Sequence, residues 1–421
     1  MTTEAARLYN TAFWADPEAV HQLFASLREN DPVHFCEGDG YPDLWHITRH
    51  ADIFEIERKT EVFLNEPRLI IMPTAREQAV RGLTGGSTNL IRSLVSMDAP
   101  EHTKMRLLTQ AWFMPKNLAR LEDSITSSAD KALQTLRSRN GECDFAKDIA
   151  LEYPLRVIMK ILGVPSKDYP LMLRLTQELF GPDDPETKRK DVDEKVDPAA
   201  ALKKTFAEFS AYFNEVTRDR RENPQDDVAS IIANAEIDGE PISTTNALGY
   251  YIIVATAGHD TTSYSLSQAV YALATNPQLF ERLKADPQEA APKIVEEAIR
   301  IASPVRHFVR TARSDYEIGG KTIKSGQSAI LWYPSGSRDE TVFENPDTFD
   351  IDRDRSVRHA AFGHGAHMCL GMHLARQENI RFLVQFAEQV DSLELTDEPK
   401  YMQAHFVGGI KNLPIQIRLS A

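Results

Sequence analysis

The stretch from residue 244 to residue 276 constrains the fold of this chain more than any other feature, because no proline interrupts it. As one helix it would span roughly 45–50 Å. Apolar side chains cover most of its circumference, namely Ala247, Leu248, Tyr251, Ile252, Ile253, Val254 and Ala255. A helix that is apolar on nearly all sides is buried on all sides. The stretch therefore predicts a long helix at the centre of a large core.

The middle of this stretch reads Ala257-Gly258-His259-Asp260-Thr261-Thr262, which is unfavourable for a helix. Glycine lowers helix stability, and threonine hydroxyls compete for backbone carbonyls. One interpretation is a bend that the threonine hydroxyls stabilise by bonding back to the helix. The other is a functional opening that includes this bend and sets an acid beside a hydroxyl for proton transfer. The residues by themselves leave both interpretations open.

Cys369 lies in a second informative stretch, His-Ala-Ala-Phe-Gly-His-Gly-Ala-His-Met-Cys-Leu-Gly, which occupies residues 359–371. Gly363 and Gly365 allow the backbone to turn tightly, and the residues from Met372 onward favour a helix. Cys369 is therefore predicted near a helix N-terminus, where the dipole and free amides favour a thiolate. One interpretation is a buried structural cysteine. The other is a ligand, because a haem iron is held by a thiolate when oxygen must be activated.

The pattern Phe362-Gly363-x-Gly365-x-His367-x-Cys369-x-Gly371 closely resembles the haem-ligand loop of the cytochrome P-450 monooxygenases, and residues 257–262 match that family's oxygen-activation element. The resemblance extends over essentially the whole chain. It implies a single cytochrome P-450 haem domain, residues 1–421, mainly α with a minor β region. The haem would lie between the long central helix and the helix after the cysteine loop. The resemblance also implies haem b (iron protoporphyrin IX), with Cys369 as axial ligand of the iron, Thr261 near dioxygen and Asp260 as the proton-relay acid.

The resemblance also implies contacts to the haem propionates. His102 and Arg106 are four residues apart and share a helix face, a spacing that alone is typical of a solvated charged face. In the family the matching stretch is the C helix, whose His and Arg reach a propionate. Arg310 and His359 match further propionate-binding positions. The complete predicted haem-binding set is His102, Arg106, Arg310, His359, His367, Cys369 and Gly371.

Glu297 and Arg300 place an acid and a base three residues apart on one helix face. Such pairs usually lie in solvent, where they contribute only about 0–1 kcal/mol. Together with the stretch Phe349-Asp350-Ile351-Asp352-Arg353, however, they resemble the family's buried Glu-Arg-Arg cluster. The resemblance implies that Glu297, Arg300 and Arg353 lock the core on the haem side.

Alignment of the motifs with the family implies a substrate pocket with almost entirely apolar walls. Its predicted residues are Leu90, Ile91, Leu94, Ile253, Thr256, Ala257, Val305, Phe406 and Val407. Such walls favour a small apolar substrate, a monoterpene or an alkyl-substituted aromatic, bound by burial of apolar area. Thr256 is the polar exception. Its hydroxyl either holds a substrate hydroxyl or bonds back to its own helix.

Short apolar runs between glycines and prolines predict the minor β region. A hairpin is expected in residues 31–47 and strands at residues 316–318, 322–323 and 329–332. Two stretches are expected to lack regular structure. Residues 70–94 show no stable period, and residues 181–198 contain too few apolar residues to pack, which predicts a mobile connection to a lid.

The net charge of −14 argues against nucleic acid or an anionic membrane as a partner, since both attract basic surfaces. No run approaches the roughly 20 apolar residues of a membrane span, and the first residues do not resemble a signal peptide. We therefore expect a cytoplasmic protein. No glycine-rich nucleotide loop is present, so electrons are expected from a separate protein, which the resemblance implies is a ferredoxin with its reductase. That ferredoxin is expected to dock beside the cysteine on a local basic patch, Lys104, Arg106, Arg358 and Arg376.

Three functional hypotheses follow. The first is a ferredoxin-dependent monooxygenase that inserts one atom of dioxygen into an unactivated C–H bond. The second is a peroxide-driven oxygenase, although such members of the family tend to lack the acid-alcohol pair that Asp260 and Thr261 retain. The third is a non-catalytic haem sensor, in which that pair would have no purpose. Within the family the chain looks most similar to the bacterial terpineol-oxidising branch, a similarity that leaves the substrate open. The shared stretches are residues 141–145, 171–177, 255–262, 365–371, 406–409 and 411–412.

Overall fold

The computed structural model describes residues 4–419, and these residues are mainly helical with a minor β region, as the sequence predicts. The α-helices are α1 Pro17–Asn30, α2 His50–Arg58, α3 Thr74–Thr84, α4 Glu101–Gln110, α5 Pro115–Leu118, α6 Glu122–Ser138, α7 Glu152–Leu162, α8 Tyr169–Phe180, α9 Ala200–Glu222, α10 Val228–Ala233, α11 Thr244–Ala257, α12 Asp260–Thr275, α13 Pro277–Ala285, α14 Pro287–Ala302, α15 Tyr333–Gly336 and α16 Met372–Gln389.

The strands are short and lie in several small sheets. They are β1 Val33–Cys36, β2 Leu44–Ile47, β3 Phe63–Leu64, β4 Glu142–Asp144, β5 Glu236–Ile237, β6 Glu240–Pro241, β7 His307–Ala312, β8 Tyr316–Ile318, β9 Lys321–Ile323, β10 Ser328–Trp332, β11 Val390–Leu395, β12 Lys400–Tyr401, β13 Ile410–Asn412 and β14 Pro414–Leu419. The largest sheet has the order β1-β2-β10-β7-β3. The predicted hairpin pairs β1 with β2, from Val33 opposite Ile47 to Cys36 opposite Leu44.

The predicted central helix is present as two consecutive helices, α11 and α12. It is interrupted at Gly258 and His259, where His259 has φ −107° and ψ −78°. Threonine hydroxyls donate to helix carbonyls on both sides of the break, from Thr256 Oγ1 to Ile252 O at 2.8 Å and from Thr261 Oγ1 to Ala257 O at 2.9 Å. These bonds supply partners at the interruption and favour a bend there. The interruption therefore lies where the sequence predicts a bend, and the threonine hydroxyls bond back to the helix as expected.

The interval 70–94, expected to be irregular, contains helix α3. Its first turn contains Glu77, a buried carboxylate that accepts from Arg68 Nη2 at 2.6 Å and from Arg81 Nε at 2.9 Å. Arg81 is four residues after Glu77, a spacing that stabilises a helix, whereas Arg68 lies outside it. Helix α3 is thus stabilised by the contact between Glu77 and Arg68, which lies in the segment before the helix. Hydrophobic periodicity, on which the sequence prediction relied, does not reveal such a contact.

Residues 181–198 lack regular secondary structure, as predicted, but ion pairs connect them to the rest of the molecule. Asp184 is fully buried and lies 2.9 Å from Lys411 Nζ. Arg76 on α3 reaches Asp183 at 3.1 Å and Glu194 at 3.3 Å.

Within residues 4–419, no helix is long and apolar enough to cross a membrane.

Candidate active site

A cavity of about 330 Å³ lies where the α11–α12 break, the cysteine loop and strand β7 meet. Gly258 and Thr261 line it from the break, Cys369 from the loop and Arg310 from β7. The break in the central helix therefore faces the cavity that contains the cysteine. Thr261 and Cys369, more than 100 positions apart in the sequence, meet at this cavity, as the sequence analysis predicts.

The cysteine loop is held by its own backbone and by α2. Cys369 N donates to Phe362 O at 2.9 Å. Gly363 and Gly365 have φ of +65° and +67°, and a Cβ on Gly365 would lie 2.6 Å from the carbonyl oxygen of Glu57. Both the conformation and the close approach to α2 therefore require glycine at position 365. The loop ends at Gly371, immediately before α16, which confirms the predicted helix after the cysteine.

The Cys369 side chain is accessible through the cavity that it borders, and protein atoms lie close enough around it for burial to affect its thiol. Burial raises the pKa of the thiol, while the Gly371 N–H and the guanidinium groups of Arg106 and Arg376 act in the opposite direction. A metal ion deprotonates a coordinating thiol, so a bound iron would reinforce the effect of the N–H group and the two arginines.

Several nitrogen donors line the same cavity close to the cysteine loop. His102 is buried, and its Nε2 has no hydrogen-bond partner within residues 4–419. Its ring lies against that of His367, with centroids 3.9 Å apart and planes inclined by 31°, and Arg106 Nη2 donates to Met368 O at 2.8 Å. Burial, followed by the charge of Arg106, lowers the pKa of His102 to about 4. An orphaned nitrogen beside Arg106 and Arg310 fits a group that brings carboxylates, as haem b does through its propionates.

His359 is the member of the predicted haem-binding set that the structure does not place on the cavity wall. It is buried, its Nδ1 accepts from the backbone N–H of Ala361 at 3.3 Å, and its Nε2 lies 3.2 Å from Glu296 Oε1. Glu296 also accepts from Arg376 Nε at 2.7 Å. His359 is therefore engaged by α14, whereas His102, Arg106, Arg310, His367, Cys369 and Gly371 all border the cavity.

The two residues of the predicted catalytic pair, Asp260 and Thr261, do not both border the cavity. Thr261 borders the cavity, but Asp260 does not. Asp260 is buried, its Oδ1 lies 3.5 Å from His259 Nδ1, and its Oδ2 has no hydrogen-bond partner in the described structure. Burial raises the pKa of this carboxyl, and His259 lowers it to a smaller extent. Asp260 is therefore a buried acid beside the cavity wall, and burial makes it give up its proton less readily than an exposed aspartate would.

The structure brings together Glu297, Arg300 and Arg353. Arg300 binds both oxygens of Glu297, at 2.7 and 2.9 Å, and Arg353 Nε donates to Glu297 Oε1 at 3.2 Å. Arg300 Nη1 also donates to Ser337 O and Pro346 O. The cluster thus ties α14 to the segments after α15, and its charges are paired, as burial requires.

All nine predicted substrate-pocket residues border the cavity: Leu90, Ile91, Leu94, Ile253, Thr256, Ala257, Val305, Phe406 and Val407. The structure adds apolar residues that sequence reasoning missed, including Met72, Phe180, Leu202 and Phe206. Phe180 ends α8 and Phe206 lies in α9, helices whose relation to the cavity is not visible in any local motif. Thr256 donates to its own helix at Ile252 O, so its hydroxyl proton is already used.

Two acids on the cavity wall were also missed, Glu57 and Glu378. Glu57 accepts from Tyr333 Oη at 2.7 Å and lies 3.6 Å from Arg310 Nη2; burial raises its pKa to about 7. Neither carboxylate oxygen of Glu378 has a hydrogen-bond partner among the described residues. A sequence signal exists for Glu378, because it falls between Leu374 and Phe382 on the buried face of α16.

The fold and this cavity define a haem-thiolate oxygenase, and the chain belongs to the cytochrome P450 family, whose model matches residues 75–417. It is a P450 monooxygenase with haem b as its cofactor. It is 43% identical over 409 residues to cytochrome P450-terp of a Pseudomonas species, covering 96% of this chain and 94% of that one. Linalool 8-monooxygenase of Pseudomonas putida is 31% identical, covering 94% and 95%. The crystal structure of CYP108D1 from Novosphingobium aromaticivorans matches with a TM-score of 0.91 and 42% identity, covering 99% and 98%.

Proposed function

We propose that this monooxygenase hydroxylates a small, largely apolar molecule, a monoterpene or an alkyl-substituted aromatic, with electrons from a separate ferredoxin. Cys369 would ligate the haem iron, and His102, Arg106, Arg310 and His367 would hold the propionates. Haem b in this cavity would supply the iron that activates dioxygen, with electron density from a thiolate favouring cleavage of the O–O bond. The observation that supports the proposal best is the shared cavity, which holds the cysteine, the cations and the apolar walls together.

The protein's own contribution to the reaction is positioning and proton transfer. The apolar walls exclude water and orient the substrate near the α11–α12 break. Thr261 Oγ1 presents its oxygen to the cavity while its proton is donated to Ala257 O. The Asp260 carboxyl belongs to the preceding residue and lies off the cavity wall, so its side chain would have to turn towards the Thr261 hydroxyl to pass a proton to the cavity. Acid-base groups placed in this way contribute about 10²–10⁴-fold to a rate.

The cavity wall supports a hydrocarbon substrate more than an alcohol. Its predicted pocket residues are apolar except Thr256, whose proton is bound to Ile252 O and which can therefore only accept a hydrogen bond. A substrate hydroxyl buried without full compensation costs about 1–3 kcal/mol on mutational scales. One relative is named linalool 8-monooxygenase, which supports the terpene class without deciding between a hydrocarbon and an alcohol.

Spectral titration of the holoenzyme with p-cymene, limonene and α-terpineol tests the substrate class. We expect the two hydrocarbons to bind at least as tightly as the alcohol, because the alcohol must lose hydration. Thr256→Val should leave this order unchanged, since valine has a similar shape and removes only the hydroxyl. A clear preference for α-terpineol that is lost in Thr256→Val would establish an alcohol substrate instead. Absence of a spectral shift with all three compounds would contradict the substrate class.

The proposed ferredoxin surface lies beside the cysteine loop and is less basic than the sequence indicates. Lys104 forms an ion pair with Asp238, with a shortest distance of 2.5 Å, and Arg376 binds Glu296 at 2.7 Å. Arg106 donates to the backbone of Met368. Arg358 is exposed, and its guanidinium lies 3.9 Å from the Met368 sulfur, next to the cysteine. Arg358 is therefore the cation of the predicted patch best able to meet an acidic partner.

Electron transfer from the ferredoxin is expected to slow as ionic strength rises. Charge steering raises association rates by roughly 10–10³-fold at low salt. Arg358→Gln should slow transfer at low salt and make the salt dependence shallower. Arg282→Gln is the matched control. Arg282 lies on α13 and forms an exposed ion pair with Asp352, so the variant removes the same charge at a different surface. Stopped-flow reduction of the haem at several salt concentrations measures the rate and its salt dependence in each variant. A rate that does not change with salt, or equal effects of the two variants, would contradict this docking site.

A further inference from the structure

Gly249 lies inside helix α11, on the face of the helix that borders the cavity. Gly249, Ile253 and Thr256 follow one another at intervals of four and three residues, so they share that face, and all three border the cavity. Glycine in the interior of a helix is destabilising relative to alanine. A glycine at this buried position therefore indicates a close approach that a side chain would prevent.

The close approach is made by residues 87–96, which are called the covering loop below. A Cβ on Gly249 would lie 1.9 Å from the carbonyl oxygen of Arg92 and 3.3 Å from the Cα atom of Ser93. The covering loop thus packs with its backbone directly against the backbone of α11. The loop also supplies three of the predicted substrate-pocket residues, Leu90, Ile91 and Leu94. The distance between loop and helix therefore sets where these apolar side chains stand in the cavity.

Helix α11 is held firmly at the point where the covering loop approaches it. Tyr250 and Tyr251, which directly follow Gly249, are fully buried. Tyr250 Oη lies 2.6 Å from Thr109 Oγ1 on α4, and Tyr251 Oη donates to Ala229 O on α10 at 3.0 Å. Since the helix is fixed to two neighbouring helices, a side chain at position 249 would displace the loop rather than the helix.

The covering loop is anchored near both ends, and its middle faces solvent. Thr88 N and Thr88 Oγ1 both donate to Pro67 O, at 2.9 and 3.0 Å. Near the other end, Ser96 Oγ accepts from Ser93 N at 3.1 Å and donates to Ser93 O at 2.9 Å. Arg92 lies between these anchors, and its side chain is 43% exposed. A displaced loop would therefore move outwards in its middle, where its apolar side chains line the cavity.

We propose that Gly249 sets the size of the molecule that the cavity accepts, because it lets the covering loop lie directly on α11. The inference deepens the proposed function and rests on it, since the substrate is taken to occupy this cavity. Gly249 lies nine residues before Gly258, about two and a half turns from the helix break. The loop thus closes the cavity at a distance from the break, which favours a compact substrate over one with a long alkyl chain. Gly249 is a specificity-determining residue and takes no part in the chemistry.

Imidazoles with n-alkyl tails from ethyl to dodecyl measure this size limit in the holoenzyme. Their ring nitrogen binds the haem iron and shifts its spectrum, so the affinity of each compound is read without turnover. In the wild type, each methylene that finds room should raise the affinity about fourfold, until the cavity is filled and the affinity falls.

Gly249→Ala is expected to shift this dependence on tail length. The added Cβ requires the Arg92 carbonyl oxygen to retreat from 1.9 Å to an ordinary contact of at least 3.4 Å. The affinity maximum should therefore move to a longer tail. The tail that binds best to the wild type should bind about fourfold more weakly, the effect of one lost methylene contact.

Gly82→Ala is the matched control, because it makes the same change inside helix α3, just before the covering loop. A Cβ on Gly82 would meet no atom of the described residues within 4 Å, and Gly82 does not border the cavity. This variant should keep the wild-type dependence on tail length. A wild-type dependence in Gly249→Ala, or an equal shift in Gly82→Ala, would overturn the proposal.

If Gly249→Ala does not fold, Ser96→Ala replaces it, since this variant frees the loop at Ser93 without adding bulk. The maximum should again move to a longer tail, and an unchanged dependence is again decisive. Failure of the proposed substrate class is distinguished by the titration of the wild type with terpenes. The alkylimidazoles bind through the iron, so their tail-length dependence does not rely on the identity of the substrate.

Discussion

Cys369→His is expected to abolish the red-shifted Soret band of the reduced carbon monoxide complex, which is the signature of thiolate ligation. Haem can still bind in this variant, because His102, Arg106, Arg310 and His367 remain on the cavity wall to hold the propionates. Product formation should fall to background, since histidine does not donate electron density as a thiolate does. The haem spectrum and single-turnover product yield measure the two effects.

Cys143→Ser is the matched control for this experiment. Cys143 is buried in β4 and does not border the cavity that holds Cys369, and burial raises the pKa of its thiol to about 12. Its replacement should leave the thiolate band intact and lower only the stability of the fold. If the band survived in Cys369→His, or disappeared in Cys143→Ser, the assignment of the iron ligand would be wrong.

Thr261→Ala and Asp260→Asn are expected to uncouple the enzyme, so that less product forms for each electron consumed. Thr261→Ala should leave spectral binding of substrate near normal, because a hydroxyl is lost from a largely apolar cavity, but divert reducing equivalents to hydrogen peroxide. Asp260→Asn should slow turnover by about 10²-fold or more and increase the solvent isotope effect. Burial raises the pKa of the wild-type Asp260 carboxyl, whereas the asparagine amide has no acidic proton to exchange with the cavity.

Thr275→Ala is the matched control on the same helix. Thr275 donates to the carbonyl four residues earlier, as Thr261 does, but lies at the far end of α12 and does not border the cavity that Thr261 lines. It should keep full coupling. Unchanged coupling in Thr261→Ala would contradict the proton-delivery role and would favour peroxide-driven oxygenation, because peroxide already contains the protons and electrons of that step.

Sequence reasoning was most successful where the informative residues are neighbours in the chain. The cysteine loop, the helix after it and the α11–α12 stretch follow from glycine conformations, helix propensities and apolar coverage, which act over a few residues. Sequence reasoning was least successful where a buried charge decides the structure. Helix α3 depends on Arg68 meeting Glu77, and Glu57 reaches Arg310 across more than 200 residues.

The sequence by itself determined that the chain contains a cysteine in a glycine-rich loop, candidate cations for the propionates and a central helix that is unfavourable in its middle. Each of these features can be recognised in a short run of residues. Only the tertiary structure decided how they face one another. It places Thr261 on the cavity wall and Asp260 off it, engages His359 with Glu296, and pairs Lys104 and Arg376 with acids within the proposed docking surface. The physical reason is that side-chain direction and charge pairing depend on contacts between distant segments, which local spacing does not specify.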